Sequence, residues 1–205
     1  MTDPNSSRGV TRRGFLKGVG VAAVTPSILS SASAQDAGSA DGQVFGPGSH
    51  ELRLRINGQD QRVQAEPRTT LLDVLRNQLQ LTGSKEVCDQ GSCGACSVLL
   101  DGELSNACML LAVDCVGHEI LTIEGLAQGD ELHPISAAFV EDDALQCGYC
   151  TPGMVMASYA CLSKKPNASL DEIKDAISGN LCRCGTYNNI FTAVQKAQKR
   201  MGGGR

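Results

Sequence analysis

Of 205 residues ten are cysteine, and 18 basic against 22 acidic residues leave a net charge of −4. An acidic chain without a basic run is not built to hold nucleic acid or an anionic membrane surface. No apolar stretch is long enough for a stable membrane span, and three tyrosines, four phenylalanines and no tryptophan predict an aromatic-poor core.

In chain order, Thr11-Arg12-Arg13-Gly14-Phe15-Leu16-Lys17 has the full form of a twin-arginine export signal. A mildly apolar stretch from Gly18 to about Leu29 and the small-residue site Ala32-Ser33-Ala34 follow in the order of an export leader. A chance pair of arginines would leave that order unexplained. Residues 1–34 are therefore expected to be a signal peptide that directs the protein to the periplasm by the twin-arginine pathway. Cleavage after Ala34 would remove four basic residues and one acidic residue, leaving 171 residues at −7. That length suits one ordinary domain or two small ones. Cysteines in exported proteins ordinarily form disulfides. The twin-arginine route carries proteins already folded, often around a cofactor, which fits cysteines metallated in the cytoplasm before export; a general-secretion signal would have favoured disulfides instead.

Residues 35–49, small and polar, read as a linker. Leu52, Leu54 and Ile56 alternate with polar neighbours, the period of a half-buried strand. Asn57-Gly58 is a hairpin turn, with a second strand through Val63 and Ala65. Thr69 or Thr70 can cap a helix from Leu71 to about Gln80, with Leu71, Leu75 and Leu79 on one face. A glycine-punctuated loop follows. Ser97–Leu100 reads as a strand, Asp101-Gly102 as its turn, Leu104–Leu111 as a return segment and 118–123 as a short last strand. Hairpin, helix and more strands make an α+β domain over 50–126. From 127 to 205 the pattern becomes helical. Helices are expected from Pro134 to about Val140 and from Thr151-Pro152 to about Leu162, the latter apolar nearly all round. Ser169-Leu170-Asp171-Glu172 is a capping box for a helix with Leu170, Ile173 and Ile177 as its stripe. Ile190, Val194, Ala197 and Met201 mark a final amphipathic helix, giving a four-helix unit. Glu141-Asp142-Asp143 reads as a solvated helix end.

Eight cysteines fall into two quartets. Cys88, Cys93, Cys96 and Cys108 read C-x4-C-x2-C-x11-C, and Cys147, Cys150, Cys182 and Cys184 read C-x2-C-x31-C-x-C. Four thiolates satisfy one [2Fe–2S] cluster, two per iron, and the first quartet has the plant-type ferredoxin order. Gly91 and Gly94 let backbone N–H groups turn toward anionic sulfurs. Cys147 and Cys150 precede the Thr151 helix, whose positive end favours thiolates. Zinc fits the x4 and C-x-C spacings poorly, a Rieske centre lacks its histidines, and a disulfide scaffold stays open because pairing is not legible in a sequence. Cys115, Cys161 and the histidines at 50, 118 and 133 read as ordinary structural residues. No Ser-His-Asp set, phosphate loop or G-x-G-x-x-G is present, so substrate chemistry is expected on another chain.

Three segments, Cys88-Asp89-Gln90-Gly91-Ser92-Cys93-Gly94-Ala95-Cys96, Gln146-Cys147-Gly148-Tyr149-Cys150-Thr151-Pro152-Gly153 and Gly179-Asn180-Leu181-Cys182-Arg183-Cys184-Gly185, resemble the iron–sulfur subunit of the molybdenum hydroxylases, the xanthine dehydrogenase and aldehyde oxidoreductase family. The resemblance runs from about Glu51 to Lys199. With the export signal, the chain looks most like the small subunit of a periplasmic aldehyde oxidoreductase. The resemblance implies a β-grasp ferredoxin domain followed by a four-helix domain, each with one [2Fe–2S] cluster. It implies a large partner subunit carrying the molybdopterin cofactor, with Gln146 and Cys184 against the pterin and the helical cluster nearer the molybdenum. It also implies a flavin subunit or a cytochrome as acceptor. Val87 stands where the family usually has glycine, and Gly185-Thr186 where many members have threonine then glycine. The second departure is similar to a bacterial subgroup with differing acceptor modules, which leaves flavin and cytochrome both open. The rival reading is a free-standing two-cluster electron carrier.

Overall fold

The computed structural model describes residues 45–127, 129 and 131–202. The expected export signal and linker residues 35–44 lie outside the described residues. From Phe45 onward the chain forms one compact unit with two apolar clusters, one under the sheet and one among the helices. The end of the linker folds back on the first strand: Phe45 packs edge-on against His50, whose Nε2 lies 2.8 Å from the Gly46 carbonyl.

Strands β1 (His50–Ile56) and β2 (Gln59–Ala65) pair antiparallel, Leu52 opposite Val63. Asn57 and Gly58 take φ of 52° and 74°, the two left-handed residues of the expected tight turn. β3 (Ser97–Leu100) and β4 (Glu103–Asn106) form a second hairpin through Asp101-Gly102. β5 (Glu119–Leu121) lies parallel to β1 and antiparallel to β3, so the sheet order is β2-β1-β5-β3-β4. Its inner face holds Leu52, Leu54, Ile56, Val63, Val98 and Ile120 against the helical segment that follows β2, the β-grasp arrangement.

That helical segment departs from the expected regular helix over 71–80. Thr70 caps α1 (Leu71–Asp73), but Val74–Gln78 continue as a π-turn, with Leu79 N–H donating to the Val74 carbonyl at 3.1 Å. Leu71, Leu72, Val74 and Leu75 are all buried. The wider turn serves that packing, and Arg76 then fastens the exit by donating to the carbonyls of Thr82 and Ser84 at 3.0 and 2.8 Å. The return segment also differs. After Asn106 the chain leaves β4 for a 3-10 turn, Ala107–Met109, which delivers Cys108 to the cysteine loop. The last strand is shorter than expected because Thr122 breaks away to bond Asn57.

The helical half contains α2 (Pro134–Glu141), α3 (Thr151–Lys164), α4 (Leu170–Ile177) and α5 (Tyr187–Met201). α3 is buried almost all round, and the Ser169–Glu172 capping box is fully formed. Two expectations are corrected. Leu170 is 38% exposed, so the stripe of α4 is Ile173 and Ile177. Nor is the acidic run after α2 merely solvated. Lys196 reaches Asp142 at 2.6 Å, and Arg200 makes a fork on Glu141 at 2.9 and 2.7 Å, clamping α2 to α5.

Candidate functional site

The loop between the π-turn and β3 carries three cysteines of the first quartet, and the turn after β4 carries the fourth. Cys93, Cys96 and Cys108 are buried and Cys88 is half-buried. Gly91 has a positive φ, which turns its N–H to donate to Cys108 Sγ at 3.3 Å. Asn106 holds the same loop through the Gly91 carbonyl at 3.1 Å. The Gln90 N–H, followed by the Cys93 thiol, draws Cys88 down to about 7. Burial, followed by the neighbouring Cys108, pushes Cys96 up to about 12.

The second quartet is assembled from two helix ends. Cys147 and Cys150 lie at the start of α3, where Thr151 N–H closes a turn onto the Gly148 carbonyl. Cys182 and Cys184 lie in the turn between α4 and α5. Cys147 and Cys184 are exposed, Cys150 is half-buried and Cys182 is buried. Burial acts most strongly on Cys182 and pulls it upward, but donors from Thr186, Cys150 and Gly185 outweigh it and leave the thiol at about 7. Cys150 is driven up to about 12, by burial first and then by Cys182.

Within each quartet neighbouring thiols act on one another: Cys93 on Cys88 and Cys108 on Cys96, Cys182 on Cys150 and Cys184 on Cys147. Four thiolates, two for each iron, are the donor set of a two-iron cluster, and each quartet supplies four free cysteines. All ten cysteines are free thiols in the structure. Thr151 Oγ1 is buried without a partner. A hydroxyl donor left open in the turn after Cys150 is what an anionic group held there would satisfy.

The two quartets meet back to back. Leu181 N–H donates to the Cys93 carbonyl at 2.9 Å, so one hydrogen bond and one peptide step separate ligand candidates of the two sites. Beside it, Asn180 Nδ2 donates to the Gly94 carbonyl at 2.8 Å. Tyr187 accepts from Cys182 N–H at 2.8 Å. Periodicity and spacing gave no role to Asn180, Leu181 or Tyr187. Asn180 and Leu181 nevertheless sit inside the motif around Cys182, and that motif was the available signal.

Family comparison agrees with this geometry. Residues 54–115 match the 2Fe-2S iron-sulfur cluster binding domain and residues 122–195 match the [2Fe-2S] binding domain. The chain is 41% identical, over 92% of its length and 88% of the relative's, to the aldehyde oxidoreductase iron-sulfur-binding subunit PaoA of Escherichia coli. It belongs to the iron–sulfur subunits of the molybdenum hydroxylases. Similarity extends to the xanthine dehydrogenase iron-sulfur-binding subunit of Escherichia coli, at 42% identity over 72% of this chain and 94% of that one. Among solved structures, a quinoline 2-oxidoreductase chain from Pseudomonas putida superposes with a TM-score of 0.71 at 39% identity, covering 77% of this chain and 99% of that chain. The subunit is thus an electron-transfer component with two [2Fe–2S] domains, and catalysis resides on a partner chain with the molybdenum cofactor.

Cys115 and Cys161 lie outside both quartets, as expected of packing residues. Cys115 is fully buried, its thiol pushed up to about 11 by that burial, and it donates to the Leu111 carbonyl at 3.3 Å. The histidines are structural too: His118 pairs with Asp101 at 2.5 Å, and His133 Nδ1 caps α2 through Ile135 N–H at 3.3 Å. Gln146 is exposed beside Cys147.

Proposed function

We propose that electrons enter this subunit at the Cys147/Cys150/Cys182/Cys184 site and leave from the Cys88/Cys93/Cys96/Cys108 site. The observation that carries this reading is the Leu181 N–H to Cys93 carbonyl bond, which joins the two cysteine sites through a single hydrogen bond. Each [2Fe–2S] cluster supplies one-electron redox capacity when bound. The chain's own residues supply thiolates, N–H donors and separation.

The direction rests on surface chemistry. Cys147 and Cys184 are exposed in the helical site, and Tyr149 and Leu181 beside them are each 56% exposed. Apolar side chains flanking open ligands are the mark of a face covered by a partner. We assign this face, with Gln146 and Cys184, to the pterin side of the large subunit. Val87 and Met109, 56% and 62% exposed at the rim of the other quartet, would then face the acceptor, a flavin subunit or a cytochrome. For the partner's substrate we favour an aldehyde over an N-heterocycle. The PaoA match covers more of this chain than residues 45–205 alone could supply and so reaches into the segment ahead of Phe45. The same segment supports export to the periplasm by the twin-arginine pathway.

Purification tests the reading. A complex with a much larger molybdenum-containing chain, and two distinct [2Fe–2S] EPR signals on reduction, is expected. A monomer with both signals and no partner would return the protein to the free-standing carrier. Changing Arg12 and Arg13 to Lys should retain the protein in the cytoplasm, and unimpeded export would remove the twin-arginine assignment.

A further inference from the structure

Asn180 is 3% exposed, and its side-chain amide is committed outside its own half of the molecule. Nδ2 donates to the Gly94 carbonyl at 2.8 Å and to Ser97 Oγ at 3.2 Å. Both acceptors belong to the loop and strand that hold Cys93 and Cys96. Its backbone faces the other way. The Asn180 N–H donates to the Ile177 carbonyl at 2.9 Å, and its carbonyl accepts from the Tyr187 hydroxyl at 3.4 Å, the same hydroxyl oxygen that accepts Cys182 N–H. One buried residue therefore ties the backbone of one cysteine site to the backbone of the other.

The junction around it is closed to its limit. Gly94 has φ +68°, and a Cβ there would sit 2.5 Å from Asn180 Nδ2. A Cβ on Gly153, in the first turn of α3, would run into the Gly94 carbonyl. Were Asn180 only filling space, an apolar side chain would suit the surrounding core better, because a buried amide is tolerated only when its hydrogens are used. Here the hydrogens are used across the junction, on residues more than 80 positions away.

We propose that Asn180 is a positioning residue that fixes the separation of the two cysteine sites, so that the rate of electron passage between them depends on its side-chain amide. This rests on the assignment of the two quartets as cluster ligands.

The test uses the full-length protein with its clusters, unaltered and as Asn180→Leu, Gly153→Ala, Ser97→Ala and, as a buried control away from the junction, Ile173→Val. Iron and sulfide content establish loading. The readouts are the spin–spin splitting of the EPR signals with both clusters reduced, and the rate of electron redistribution after partial photoreduction. Asn180→Leu keeps volume and removes both donated bonds, whereas Gly153→Ala forces the junction apart from the other side. Both should weaken the splitting and slow redistribution several-fold, because the rate of electron passage falls steeply as the separation of the two sites grows. Ser97→Ala should have a smaller effect and Ile173→Val none. If Asn180→Leu fails to load iron, Gly153→Ala and Ser97→Ala carry the test. Loaded junction variants with unchanged splitting and rate would overturn the proposal, as would Ile173→Val altering them equally. An unaltered protein without two cluster signals would instead remove the ligand assignment.

Discussion

The two cysteine sites reach the same donor set by opposite routes. In the ferredoxin half, three cysteines share one short loop and the fourth arrives from the turn after β4, so the site is nearly complete within one local structure and three of its thiols are buried. In the helical half, two pairs far apart in sequence meet only because α3, α4 and α5 pack together, and two of the thiols stay open to the surface. The loop site depends on backbone turns and N–H groups. The helical site depends on the core beneath it and on whatever covers its open face.

Ligand removal gives the largest expected effect. Cys96→Ser and Cys147→Ser should each abolish one EPR signal and halve the iron. The buried Cys96 site should also lose local order, seen as faster amide exchange in the loop, whereas the exposed Cys147 variant should keep a native-like circular dichroism spectrum. Equal disruption by both would erase the contrast.

Next comes the core beneath the helical site. Phe139 is 1% exposed among the helices, and Phe139→Ala is expected to cost about 3–5 kcal/mol, read from the urea midpoint. The helical cluster signal should be lost at lower urea than the ferredoxin one, and simultaneous loss would mean that both sites share one cooperative unit. A smaller loss follows from the Ser169 cap. Ser169→Ala removes the bond from Glu172 N–H at 3.3 Å and should cost about 1 kcal/mol, again felt first by the helical signal.

The smallest effect concerns the acid range. Arg200 and then Lys196 hold the Glu141 carboxyl at about 2, below its ordinary 4.5. A depressed folded-state value means that the α2–α5 clamp contributes fully above about 4.5 and is lost as pH falls toward about 2. Glu141→Gln should flatten the stability–pH slope in that window and leave the slope near neutrality unchanged. The residues are exposed, so added salt should shrink the difference.

Much of this was legible in residue order. The two hairpin turns and the Ser169–Glu172 cap are local features, and they form as they read. The regular helix over 71–80 was not realised, because packing four apolar side chains onto one sheet face took precedence over regular hydrogen bonding. The acidic run at 141–143 looked solvated because its partners, Lys196 and Arg200, lie on a helix more than fifty residues away.

By itself, then, the sequence determined the fold class and the family and picked out two candidate ligand sets, one in a short loop and the other in two short pairs separated by 31 residues. Only the tertiary structure decided which thiols are buried and that the Cys93 and Cys182 loops touch. It also decided that Asn180 stands between the sites, reaching a carbonyl 86 residues away. No periodicity of 2 or 3.6 encodes a contact at that distance, because it exists only once the sheet and the helices have closed on one another.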